Sequence, residues 1–276
     1  MIAINGALTG QFGIYTATII IHIAGLLVIG AVVLFKRDRI FTRGGAWYWY
    51  LGGMVGVFTT VSNNVAFGRI SVSALLALGL LGQSVSGLVI DQFGLFGMQK
   101  HSFEKQKIIG LLLVVAGIAS MINNFEILAM VVSFAAGVTI VTSRTLNARL
   151  SAATNVRTST FYNYVVGLFC AILAFLLLGR GEIAFVEVLP LSASWYMYFG
   201  GMLGVCVVLL LNVTVVKISA FYLTLLIFIG QIFSGVLVDA FLDGEVSIRI
   251  IVGGVLVGLG MCANLIVDNR KATAAK

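Results

Sequence analysis

The sequence predicts an all-α polytopic membrane protein: about nine transmembrane helices arranged as an inverted repeat, with a cytoplasmic C-terminus. Two observations carry this. The first is composition: 60% of the 276 residues are hydrophobic and 10% charged, and the mean hydropathy is +1.11. A soluble domain carries about 25% charged residues. The second is a stretch written twice. Trp47 to Asp91 lies without a gap on Trp195 to Asp239, pairing Trp47/Trp195, Tyr48/Tyr196, Tyr50/Tyr198, Gly52/Gly200, Gly53/Gly201 and Gly56/Gly204, then Asn64/Asn212, Gln83/Gln231, Ser86/Ser234, Gly87/Gly235 and Asp91/Asp239. Apolar composition alone matches Val with Val; it does not align Trp, Asn, Gln and Asp. Duplicated units of this kind are common among membrane carriers.

Crossings are expected at 13–35, 46–67, 71–91, 107–123, 126–145, 158–179, 194–215, 219–240 and 249–268. Each is an apolar run near the roughly 20 residues a spanning helix needs. The separators carry charge or turn residues: Lys36-Arg37-Asp38-Arg39, Arg69, Gln99 to Lys107, Asn123-Asn124, Arg144 to Arg157, Arg180 to Pro190, Lys217 and Asp239 to Glu245. A single proline and the length of the runs exclude a transmembrane barrel, whose strands alternate over about 10 residues. With these crossings one side receives most of the basic residues, and the other only Arg69, Arg180 and Arg249. The basic side is cytoplasmic by the positive-inside rule.

Equivalent helices of the two copies are an odd number of crossings apart, so the second copy is expected upside down relative to the first. At a slightly different register Ile4-Asn5 matches Leu146-Asn147, Leu8 matches Leu150, and Gly25-Leu26 matches Gly167-Leu168. The second copy has a full helix before that point, the first only Met1 to Ile4. The expected plan is therefore four helices plus five, with residues 1–124 as the first repeat and 125–276 as the second. A start assigned too far downstream and a truncated relative both account for the missing helix. No basic region of a signal peptide precedes the first apolar run, so no cleavable leader is expected.

Two inverted five-helix units of this size resemble the drug/metabolite transporter superfamily. Asn-x-x-Leu (Asn5 to Leu8, Asn147 to Leu150), Trp-Tyr-x-Tyr-x-Gly-Gly-x-x-Gly and Gly-Gln-x-x-Ser-Gly look like its YdcZ-like branch. The resemblance implies a multi-pass transporter of the bacterial inner membrane, an exporter, with a substrate that is generally unassigned.

Among polar residues, Gln83 and Gln231 fall near helix centres, each followed one turn later by Ser86-Gly87 or Ser234-Gly235 on the same face. An amide at that depth faces protein or a wet cavity; interhelical glue and pathway lining both fit. Gly52/Gly56 and Gly200/Gly204 are small-residue seams for close helix packing. Trp47 and Trp195 stand at helix starts, where an interfacial belt accounts for them and a pocket wall is the functional alternative. Asn64 and Asn212 lie towards the far ends of the same helices. His22 is the only group titrating near neutral pH deep in a predicted helix; it is either a proton-coupling group or a neutral imidazole bonded between helices. Its mate Tyr164 lies in the run Tyr162-Asn163-Tyr164, which adds Tyr162 to the pathway candidates.

Asp91, Glu126, Asp239 and Asp268 are all placed at helix ends, leaving no carboxylate within the membrane to pair with a cationic substrate. A neutral, zwitterionic or polar small solute is therefore expected. The net charge of +7 is read as loop charge rather than a nucleic-acid surface. Cys170, Cys206 and Cys262 have no metal or disulfide spacing. No cofactor, metal ligand set or catalytic constellation is expected, and His101 falls in a charged loop. The leading reading is a transporter, as monomer or homodimer, contacting lipid and a small molecule. A non-transporting membrane scaffold is the alternative.

Overall fold

A computed structural model describes residues 1–39, 44–97, 105–122, 126–182, 195–214, 220–243 and 248–274; side chains at 91, 212–214, 220–226, 242–243 and 268–274 fall outside the description. His101 and the side chain of Asn212 therefore lie outside the described residues. The described residues hold ten α-helices: α1 (Ile2–Phe12), α2 (Ile14–Phe35), α3 (Gly52–Ala66), α4 (Val72–Phe93), α5 (Lys107–Met121), α6 (Ile127–Ala153), α7 (Val156–Leu178), α8 (Gly200–Thr214), α9 (Ala220–Asp243) and α10 (Ile248–Ala274). Among the described residues, five segments are long and apolar enough to cross a membrane by length and composition: Ile14–Phe35, Val72–Ile90, Ile127–Ala153, Val156–Leu178 and Ile248–Val267. The chain is a helical membrane protein.

Before the first expected crossing lies a short helix, α1 (Ile2–Phe12), which in the register of Asn5 with Asn147 corresponds to the last turns of α6. At 11 residues and 1.5 Å per residue it is too short to span, so a search for spanning runs passes over it. The segment from Arg144 to Ala153, taken as loop, continues α6. Its polar residues find partners beside the helix: Asn147 Nδ2 donates to Asn163 Oδ1 at 2.9 Å, and Ser159 Oγ donates to the Asn147 carbonyl at 2.8 Å. Nor is Asp239 a loop acid. It lies within α9 and is 1% exposed.

Local chemistry accounts for several boundaries. Ser71 caps α4, its Oγ accepting the Ala74 N–H, and Asn155 caps α7, its Oδ1 accepting the Thr158 N–H at 2.8 Å. Gly94 ends α4 at φ 62°, a left-handed conformation that favours glycine. Each of α3 and α8 is entered through one 3-10 turn, Trp47–Leu51 and Trp195–Phe199.

The chain divides into two compact units: Met1–Val65 with Thr139–Thr214, and Ala66–Val138 with Val215–Lys276. Each unit draws helices from both sequence copies. In the first, α2 and α7 run antiparallel, since a Cβ at Gly167 would meet His22, one at Gly25 would meet Tyr164, and one at Gly30 would reach Phe161. These contacts pair copy with copy: His22 and Tyr164 are mates, as are Gly25 and Gly167. The two helices are also tied at both ends. Glu182 accepts the N–H groups of Ile14 and Thr16 at 2.9 Å, that of Tyr15 at 3.1 Å and the Thr16 hydroxyl at 3.1 Å. The Arg157 Nη2 donates to Asp38 Oδ1 at 2.8 Å, and Arg157 Nε to Asp38 Oδ2. That hydrogen bond, with the guanidinium charge behind it, holds the Asp38 carboxyl below its ordinary range.

Glu182 supplies all the acceptors for the first turn of α2, where no side chain of α2 itself caps. Glu182→Ala is expected to destabilise by about 1–3 kcal/mol, the cost of leaving such donors without partners. Thermal unfolding in detergent reads the loss, and an unchanged midpoint would show that water replaces the carboxylate without penalty.

In the second unit α5 and α10 run antiparallel along a glycine track: Gly110 meets Gly260, and Gly117 meets Gly253, each against the other's carbonyl oxygen. Close approach of this sort drives helix association where lipid offers no hydrophobic penalty. Ala74, Ala77, Leu78, Val114, Ile118, Phe228, Val257 and Met261 form the buried cluster around it. Helix α9 lies antiparallel on α4, with Gly235 against Ser73 and Leu76.

Candidate functional site

Within the first unit a polar seam runs along α3 where it meets α6 and α7. Thr59 Oγ1 and Thr139 Oγ1 are 2.8 Å apart. Ser143 Oγ donates to the Gly52 carbonyl at 2.8 Å, and Asn147 Nδ2 bridges Ser143 Oγ at 3.3 Å and Asn163 Oδ1 at 2.9 Å. At one end Tyr50 and Tyr162 meet edge to face with ring centroids 4.9 Å apart. Gly52, Gly53 and Gly56 make the seam possible. A Cβ at Gly52 would overlap the Asn147 amide, one at Gly53 the Asn163 carbonyl, and one at Gly56 would sit 3.7 Å from Ser143 Oγ.

The same packing occurs with the copies exchanged. Gly200 lies against the Asn5 amide, Gly201 against the Ile21 carbonyl, and Gly204 against the Tyr164 hydroxyl and Met1. Here Val207, Met1 and Ile21 stand where the first seam has Thr59, Ser143 and Asn163. One seam is polar and its counterpart nearly apolar, with Asn5 Oδ1 buried and unpartnered among the described residues.

The sequence candidates fall into different surroundings. Gly52, Gly56, Gly200 and Gly204 are at close helix contacts as their spacing suggests. Tyr162 reaches the polar seam. Asn64 is 6% exposed, with Nδ2 unpartnered among the described residues. His22 is 5% exposed, but its Nδ1 lies 2.8 Å from the Thr18 carbonyl of its own helix rather than bridging to a neighbour. Gln83 and Gln231 are both half-buried, and only Gln231 has a buried, unpartnered Oε1. Their serine companions diverge: Ser86 is buried and donates to the Gln83 carbonyl at 3.2 Å, whereas Ser234 is exposed. Trp47 and Trp195 are 75% and 67% exposed, so neither is enclosed by its own unit.

Sequence reasoning missed Thr59, Thr139, Ser143 and Asn163. A signal existed for three of them: Thr59, Ser143 and Asn163 are polar where the other copy carries Val207, Met1 and Ile21. Attention to what was repeated hid it. Among the described residues no group of three or more His, Cys, Asp or Glu side chains could hold a metal ion.

The sequence profile of a family described as "Putative inner membrane exporter, YdcZ" matches residues 1–120 and 128–263. No curated protein matches the sequence. A solved structure described only as "Crystal structure of protein" is similar in fold: 13% identity over 96% of this chain and 95% of that one, with a TM-score of 0.63. At that identity the likeness speaks for the fold alone.

Proposed function

Because the chain belongs to the YdcZ family of the drug/metabolite transporters, we propose that it is a secondary transporter exporting a small polar or neutral solute across the bacterial inner membrane. The observation that carries this reading is the polar seam of α3, α6 and α7, set in a unit whose counterpart seam is apolar. Hydroxyls and amides spaced along three membrane helices offer a solute exchangeable hydrogen bonds where lipid offers none. The carboxylate of Asp239 is already occupied by backbone donors, which leaves it poorly placed to recognise an organic cation.

Alternating access between inverted repeats 1–124 and 125–276 is the mechanism that fits best. Its support is the antiparallel pairing of equivalent helices, α2 with α7 and α5 with α10, each across glycines that keep the surfaces smooth. Gln83, Gln231, Asn64, Asn212, His22 and the belt residues Trp47 and Trp195 remain candidates for contact with the solute or the bilayer interface.

The test is a flux panel with the purified protein in liposomes, using labelled neutral, zwitterionic and cationic solutes of small size. Saturable flux of a neutral or zwitterionic solute is expected. Flux confined to cationic dyes would overturn the substrate class, and no flux of any solute would favour a scaffold.

A further inference from the structure

Arg144 stands within α6, nine residues before its last, in a segment apolar enough to cross a membrane. At 1.5 Å per residue that is roughly 13 Å inside the helix end. It follows Ser143 directly and precedes Asn147 by one turn. Those two residues bond the Gly52 carbonyl and Asn163 Oδ1, so Arg144 flanks the polar seam where α3 begins. Arg144 is half-buried and makes no hydrogen bond or ion pair among the described residues.

The two described acids of this unit are committed elsewhere. Asp38 is held by Arg157, and Glu182 accepts the first amides of α2. A charge drawn partly out of water without a partner is costly, and within a membrane segment such groups mark solute paths. Packing does not ask for this one. In the register that pairs Asn5 with Asn147, the mate of Arg144 is Ile2, and the exchanged seam assembles without a cation there. Arg144 thus joins Ser143 and Asn163 as a polar residue confined to one of the two seams.

A guanidinium presents N–H donors in a planar fork, offers no acceptor and stays charged. The group that matches it is an oxyanion, carboxylate or phosphate, taken by two parallel N–H···O bonds. From its place beside the seam we infer that Arg144 anchors an oxyanion group of the solute. Within the proposed range of substrates this selects a zwitterion bearing a carboxylate over an uncharged molecule. A phospholipid headgroup carries the same chemistry, and the experiment separates the two sources.

The inference rests on the transporter reading, but its first test needs no transported solute, so the two can fail separately. Thermal unfolding of the full-length protein is followed in detergent free of phospholipid, with sodium acetate, sodium chloride, or chloride plus acetamide. Acetate at about 100 mM is expected to raise the midpoint by about 2 °C or more over chloride, and the uncharged acetamide not at all. Arg144→Gln should abolish that rise without lowering the starting midpoint, because no protein partner is lost. Arg144→Lys, which keeps the charge but not the fork, should retain part of the rise. In the liposome flux panel, Arg144→Gln should cut transport of the zwitterion that moves by about tenfold or more. An acetate rise that is absent, or that survives Arg144→Gln, would overturn the inference. A lower starting midpoint in that variant, or its failure to fold, would reveal a structural role and do the same. An Arg144-dependent rise given only by added phosphatidylglycerol makes a lipid headgroup the occupant, and undiminished flux in Arg144→Gln likewise removes the solute from the site. An Arg144-dependent acetate rise without flux of any solute would leave the oxyanion site standing and sink the transporter reading.

Discussion

Gly53→Val is expected to yield no stable, monodisperse protein in detergent. A Cβ at Gly53 would overlap the Asn163 carbonyl oxygen and press on the Gly167 nitrogen, both backbone atoms of α7 that no rotamer change can move aside. Overpacking commonly costs about 1–3 kcal/mol. With the helix axis itself as the obstacle, the cost here should exceed about 3 kcal/mol, a large share of a stability of order 5–15 kcal/mol. Gly201→Val should behave alike, because its Cβ would meet the Ile21 carbonyl. Gly10→Ala is the control. That residue is exposed, with nothing within 4 Å of its added Cβ, and alanine favours a helix by about 1 kcal/mol. Size-exclusion profiles and thermal unfolding of the three variants separate the outcomes. A Gly53→Val protein as stable as the parent would mean that α3 and α7 are not packed as described.

The second large effect is expected on transport. Asn163→Leu should lower solute flux roughly fivefold to tenfold while the protein stays folded. The argument is a comparison within one molecule. The counterpart of Asn163 is Ile21, which occupies the equivalent helix surface against Gly201, so this packing accommodates a branched aliphatic side chain. Asn147 would keep its bond to Ser143 Oγ at 3.3 Å, limiting the stability cost to about 1 kcal/mol. Loss of one neutral hydrogen bond to a solute is worth about 1–1.4 kcal/mol, which sets the expected fold-change. Flux and unfolding temperature measured on the same preparation decide the matter. Unchanged flux would reduce the seam to structural glue.

Several features were legible from the chain alone because they depend on local chemistry. Apolar runs of helical length appear as α2, α4, α6 and α7, within a few residues of their expected bounds except at the end of α6. The glycine pairs at 52/56 and 200/204 mark close contacts because only glycine tolerates them. The family was visible in the motifs around Asn147, Trp47 and Gln83. Other features depended on partners far away in sequence. Arg144 to Ala153 looked like loop because its polar residues seemed to need water; Ser159 and Asn163 of α7 supply their bonds instead. Asp239 was placed among the loop acids because it lies near a helix end and carries charge. Nothing local reveals that the first turn of α4 comes to meet it.

The sequence by itself determined that this is a duplicated, membrane-embedded helical protein, since burial in lipid constrains composition, run length and helix contacts one residue at a time. Only the tertiary structure decided which polar groups are satisfied and by whom. Hydrogen bonds such as Asn147 to Asn163, or Asp239 to Val72 and Ser73, exist between segments whose separation along the chain says nothing about their separation in space.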